Sequence, residues 1–114
     1  MPIPSIQLDR TFTALADPTR RGILERIGRE DASISDLAER FGMTLTGVKK
    51  HVRVLEDAGL VGTRKEGRVR TVTVGPRRLD DVARWVDAYR RSVEARLDRL
   101  ETLLERVQRG DTGS

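Results

Sequence analysis

Apolar positions along the chain fall into four short helical patterns, one alternating pair of segments and one long stripe. Leu8, Phe12 and Leu15 recur at i, i+4 and i+7, the spacing of one helix face, and predict a first helix over residues 6–16. Pro2 and Pro4 oppose helix before it, so residues 1–5 read as a flexible arm. Asp17-Pro18 is a helix start, with Asp17 as N-cap and proline at the first helical position. The second helix runs to about residue 29 and turns Ile23, Leu24 and Ile27 inward. Ser35 is placed to cap a third, short helix through Phe41, with Leu37, Ala38 and Phe41 inward. Gly42 ends it, because glycine tolerates the left-handed C-terminal cap. Thr44 caps a fourth helix that stops before Gly59 and points Val48, Val52 and Leu55 at the core. Two helices joined by residues 42–44 match a helix-turn-helix. Residues 61–65 and 68–74 then alternate as strands and pair across Glu66-Gly67, a hairpin turn signal.

Beyond Gly75-Pro76, which breaks the ribbon, residues 77–109 read as one long helix. Its apolar stripe is Leu79, Val82, Val86, Tyr89, Val93, Leu97, Leu100, Leu104 and Val107. The steps of three and four resemble a coiled coil with one stutter between Tyr89 and Leu97. Such a helix spans roughly 50 Å at ~1.5 Å per residue. A chain of this size has little body with which to cover it, so a second copy is the expected cover; folding back on the first helix is the alternative. Trp85 and Tyr89, at i and i+4, read as core and interface anchors before a ligand cage. Residues 110–114 are a tail. The fold class is mainly α with a small β-hairpin, in the order ααααββα: a winged helix-turn-helix over residues 6–109 whose C-terminal helix, 77–109, dimerises.

Charge adds the candidate chemistry. The net charge of the 114 residues is +4. Residues 43–78 hold nine Lys or Arg and three acids, 9 − 3 = +6, and the remainder is 13 − 15 = −2. Basic charge gathered on one motif is a footprint for a polyanion. At about 100° per residue, Thr46, Lys49, Lys50 and Arg53 share the side of the fourth helix opposite its core face. All four side chains hydrogen-bond and three are cationic, which suits the donor and acceptor pattern of the major groove. Taken alone, that face is equally an ordinary solvated one. The hairpin decides, because Arg64, Lys65, Arg68 and Arg70 crowd its tip, where folding needs no charge and cations repel one another. Phosphate contacts and counterion release reward them. Thr44 leaves the helix N-terminus aimed at a phosphate. His51, the only histidine, lies at the flank of the core face. It reads as a half-buried residue bonded to a neighbouring helix, or as a phosphate contact when protonated. Gly47 in mid-helix costs about 1 kcal/mol and suggests close approach to the preceding helix or to DNA.

The expected partners are therefore double-stranded DNA and a second copy of the chain, with no cofactor. With no cysteine, disulfides and thiolate metal sites are excluded. Apolar runs fall short of the roughly 18 residues of a membrane span, and the start lacks the basic leader and apolar stretch of a signal peptide, so the expected location is cytoplasmic. An enzyme is disfavoured, since there is one histidine, no phosphate-binding glycine loop and no convincing pair of acids. A winged-helix module binding an acidic protein partner is the alternative function.

ALADPTRRGILERI (14–27), LAERFGMTLTGVKKHVRVLEDAGLV (37–61) and RKEGRVRTVTV (64–74) together resemble the ArsR-type (ArsR/SmtB-like) winged-helix transcriptional regulators. The resemblance covers residues 8–104. It implies a homodimer that binds a pseudo-palindromic operator, usually as a repressor, with the first and last helices as the interface. Mapped here, that interface comprises Leu8, Phe12, Val86, Tyr89, Val93, Leu97, Leu100 and Leu104. The recognition helix falls on residues 44–57 and the wing on 64–70. Many members of the family sense metals through cysteines or through Asp, His and Glu sets on the last helix. Here Asp87, Glu94 and Asp98 stand without thiolate or imidazole, a poor transition-metal set, so the resemblance is to a metal-independent subgroup with an unknown effector. Lys49 stands where the family commonly has serine, and Thr46 where proline is frequent, so relatives do not supply the operator sequence.

Overall fold

The computed structural model describes residues 6–77 and 79–110; the expected arm at 1–5, Arg78 and the tail beyond 110 lie outside them. Among the described residues, five helices and three strands follow in the order α1 (Ile6–Leu15), α2 (Pro18–Arg29), β1 (Ala32–Ser33), α3 (Ile34–Phe41), α4 (Leu45–Asp57), β2 (Val61–Glu66), β3 (Val69–Val74) and α5 (Asp80–Gln108). The described residues through Val82 pack as one compact unit, and the rest of α5 belongs to a second.

Local chemistry sets most boundaries. Asp17 caps α2 by accepting from the amides of Thr19 and Arg20, with Pro18 in the first turn. The cap of α3 is Ser33, not the expected Ser35: Ser33 Oγ accepts from the Asp36 amide and the Asp36 carboxylate accepts from the Ser33 amide. That reciprocal pair satisfies two helix-end donors at once, and Ser35 has no acid three residues on with which to form it. Ala32 and Ser33, immediately before the helix, pair with Val72 and Thr71, so the expected hairpin becomes a three-stranded antiparallel sheet in the order β1-β3-β2. Gly42 closes α3 at φ 62° and turns the chain into α4, whose N-cap is Thr44.

The hairpin loop is Gly67-Arg68 rather than Glu66-Gly67, since Glu66 still pairs with Val69. Gly67 takes φ 61° at the first of the two loop positions, where a two-residue hairpin calls for glycine. The register sets Lys65 opposite Arg70 and Arg64 opposite Thr71.

The core gathers Ile23 and Ile27 from α2, Leu37 and Ala38 from α3, and Val48, Val52 and Leu55 from α4. Val61 and Val72 of the sheet close over them. Ile23, Leu37, Leu55, Val48, Val61 and Val72 are fully buried, each stabilising by about 1.5–3 kcal/mol. α1 contributes Thr11 and Ala14 to the interior, while Leu8 is half-buried and Phe12 remains 39% exposed. Thr11 satisfies its buried hydroxyl by donating to the Gln7 carbonyl (2.9 Å). Gly75 follows β3 and runs close against the turn that leads into β2; a Cβ there would stand 2.5 Å from the Gly59 carbonyl oxygen.

The last helix starts at Asp80, later than the expected residue 77. Leu79, read from the sequence as the head of the apolar stripe, instead sits before the helix with φ 65° and packs on the core. Its partly buried side chain packs on the core in a backbone conformation that leucine rarely adopts.

Candidate nucleic-acid interface

α4 sorts its side chains by helix geometry. Val48, Val52 and Leu55 are buried, and Thr46, Lys49, Lys50 and Arg53 are all exposed. These four line one shallow surface depression together with Val54. Thr44 Oγ1 accepts from the Gly47 amide (3.0 Å) and fixes the helix start. A Cβ on Gly47 would lie 3.1 Å from Met43 Cε and 3.2 Å from Thr44 Oγ1. Gly47 thus falls in the first turn of α4 rather than in mid-helix, where a side chain would need the Met43 tip and the Thr44 cap to give by a few tenths of an ångström.

Lys49 also lines a groove of about 430 Å³ with Lys65, Arg68 and Arg70 of the hairpin and with Ser33, Ser35 and Leu45. Helix and ribbon cations that are 16–21 residues apart in sequence thus share one concavity. Lys65 and Arg70 are directly opposed, so alternation along the strands puts both on the same sheet face. Like charges in that position destabilise a sheet. Arg64 lies on the other face, where its Nε donates to Glu66 (2.6 Å) and its Nη2 stands 4.0 Å from Asp31. The four hairpin cations expected to act together therefore divide three to one.

His51 is half-buried on the α2 side of the helix, with Nδ1 3.3 Å from Arg20 Nη1. A guanidinium only donates, so the ring meets it as an acceptor. This geometry matches the first of the two roles open to it, a residue tied to a neighbouring helix. Arg20 also donates to the carbonyls of Ala14 (2.8 Å) and Thr13 (2.9 Å) and stands 4.0 Å from Asp17. One guanidinium thereby ties the end of α1 and the cap of α2 to α4. The Arg20 amide, foremost, holds the Asp17 carboxyl below the ordinary carboxylate range; the neighbouring His51 ring, the Thr19 amide and the Arg20 guanidinium add to this, against opposing desolvation. A carboxylate with a lowered folded pKa stabilises above its unfolded pKa and loses that contribution as pH falls through the folded value. We expect Arg20→Ala to destabilise the fold by about 1–3 kcal/mol, because two helix-end carbonyls lose their donor. Asp17→Asn should lower the melting temperature at neutral pH, and its gap from wild type should close as pH falls below ~4. Melting curves at several pH values check both.

The second feature is the stripe on α5. None of the residues of this 29-residue helix is buried. Val86, Tyr89, Val93, Leu97, Leu100 and Leu104 are 37–62% exposed. Trp85 and Tyr89 stack with ring centroids 5.6 Å apart. No helix among the described residues is long and apolar enough to cross a membrane, and no three His, Cys, Asp or Glu side chains there are grouped to hold a metal.

Ser33, Ser35, Leu45 and Val69, which also line the groove, were not among the expected site residues. The serines reach it because β1 brings the start of α3 beside β3, a pairing that two residues of sequence barely announce. Leu45 was recognisable only as the first residue after the Thr44 cap.

The fold is that of a winged helix-turn-helix. Residues 15–64 match the family model described as a helix-turn-helix domain. The HTH-type transcriptional regulator Rv2034 of Mycobacterium tuberculosis is 37% identical over 81 residues, 71% of this chain and 76% of that protein. The transcriptional repressor SdpR of Bacillus subtilis is 27% identical over 69% of this chain and 88% of its own. Among solved structures, the ArsR family transcriptional regulator RHA00566 is 40% identical, with a TM-score of 0.75 over 82% of this chain and 97% of that one. The homodimeric winged helix-turn-helix DNA-binding domain Mb0332 of Mycobacterium bovis is 26% identical, with a TM-score of 0.59 over 82% and 91%. The chain belongs to the ArsR family of winged helix-turn-helix transcriptional regulators.

Proposed function

We propose that the protein is a homodimeric repressor that reads a pseudo-palindromic operator without a bound metal. The observation that carries the DNA-binding surface is the opposition of Lys65 and Arg70, exposed on one sheet face and sharing a groove with Lys49. That arrangement opposes folding and gains its compensation from a polyanion. α4 enters a major groove with Thr46, Lys49, Lys50 and Arg53 facing the base edges, and the hairpin holds the adjacent phosphates. His51, tied to Arg20, anchors the helix rather than reading bases. The α5 stripes of two copies, with Leu8 and Phe12 of α1, form the dimer; homodimerisation of the Mycobacterium bovis relative supports this. Metal independence rests on the absence of cysteine and of any histidine in α5.

Changes at Thr46, Lys50 or Arg53 are expected to alter sequence preference, at about 1–3 kcal/mol for each good base contact. Selecting bound sequences from random duplexes with wild type and with each variant checks this. One common motif for all of them would remove α4 from the role of reader.

A further inference from the structure

Leu45 is the first residue of α4 and is 49% exposed, although it lies beside the buried face of that helix. It lines the groove between α4 and the hairpin, beside Lys49, Lys65, Arg68 and Arg70. At about 100° per residue it lies about 20° from buried Val52 and about 40° from Lys49, where the core face of the helix meets the polar one. Resting on the proposal that α4 occupies a major groove, we infer that Leu45 reads thymine through its 5-methyl group.

Three observations lead to this. The N-terminal residues of a recognition helix are those that reach base edges, and Leu45 is the first of them. Leucine has neither donor nor acceptor, so against a base edge it recognises only apolar surface. In the major groove the apolar group that distinguishes one base pair from the others is the thymine methyl. The cations on either side fix where the strand runs, because a sugar-phosphate backbone held by Lys65, Arg68 and Arg70 brings neighbouring base edges to the α4 end of the groove. A single exposed leucine elsewhere on the surface would mean nothing. This one forms part of a concavity whose charged lining selects DNA. The reading also assigns base discrimination to a position outside the four polar residues of the helix face.

The test uses the selected operator with each thymine replaced in turn by deoxyuridine, which removes the methyl and leaves the hydrogen-bonding edge intact. For the wild-type dimer, one thymine per half-site should be sensitive, with affinity falling about fourfold per half-site, the transfer value of one methyl group. Leu45→Ala and Leu45→Gln should bind the thymine and deoxyuridine operators equally. Because the deoxyuridine scan is first read on the wild-type protein, it does not depend on how well a variant folds. If the operator is bound specifically but no single methyl matters, or if the Leu45 variants keep the same sensitivity, the inference is overturned while the DNA-reading proposal stands. If no sequence is bound specifically, both fall.

Discussion

Replacing Leu97 and Leu100 together with glutamate is expected to give a folded monomer at micromolar concentration, with operator affinity reduced by about 10²–10⁴-fold. Both leucines are about half exposed, on a helix with no buried residue. The core that holds the winged-helix body lies entirely at or before Leu79, so the substitutions leave it intact. In a two-fold pair of α5 helices, however, they place four carboxylates in an apolar seam, close to one another. The loss of affinity follows from geometry: two linked readers bind two half-sites with the second engagement made intramolecular, and a monomer forfeits that gain. Light scattering with circular dichroism reads the first effect, and fluorescence anisotropy with a labelled operator reads the second. A variant that remains dimeric would show that the α5 stripe is not the interface.

Removing hairpin cations one at a time should separate them into two groups. Lys65→Ala, Arg68→Ala and Arg70→Ala are each expected to weaken binding to every sequence and to flatten the plot of log affinity against log salt. The slope should fall by up to ~0.9 for each phosphate that is no longer neutralised. Arg64→Ala should leave the slope nearly unchanged, because its guanidinium is directed to Glu66 and Asp31 on the opposite face. Folding should respond in the reverse sense. Loss of Lys65 or Arg70 relieves a like-charge cross-strand pair and leaves the free protein as stable as before or more so, by about 0.2–1 kcal/mol. Equal slopes for all four variants and wild type would exclude the hairpin from DNA binding. Together the two readouts separate a residue placed for a ligand from one placed for the fold.

What the sequence revealed tracks how local the governing physics is. The α2 start at Asp17-Pro18, the Gly42 turn and the division of α4 into a buried and a polar face depend on residues within one or two helical turns, and all are as expected. Ser33 and Ser35 were separable only by asking which has a reciprocal acid three residues on. β1 has two residues and exists because β3 offers them an edge, a long-range cause. Leu79 fits the period of the α5 stripe, yet it stands before the helix and packs, partly buried, on the core. At the candidate site, sequence identified the cations but not their directions. Strand register distinguishes Arg64 from Lys65 and Arg70, and a shift of one residue would exchange their faces. His51 likewise needed the position of Arg20, 31 residues away, before its place beside α2 could be seen.

Selection of bound sequences from random duplex DNA, at near-physiological salt, tests the central claim most directly. It reports DNA binding, half-site sequence and half-site spacing together. The expected result is one enriched pseudo-palindromic motif whose half-sites lie about 10–10.5 base pairs apart centre to centre, or a multiple of that, as two α4 helices related by a two-fold axis require. No enrichment above nonspecific binding would contradict the account and favour an acidic protein partner for the basic groove, and a lone asymmetric half-site would contradict the dimer.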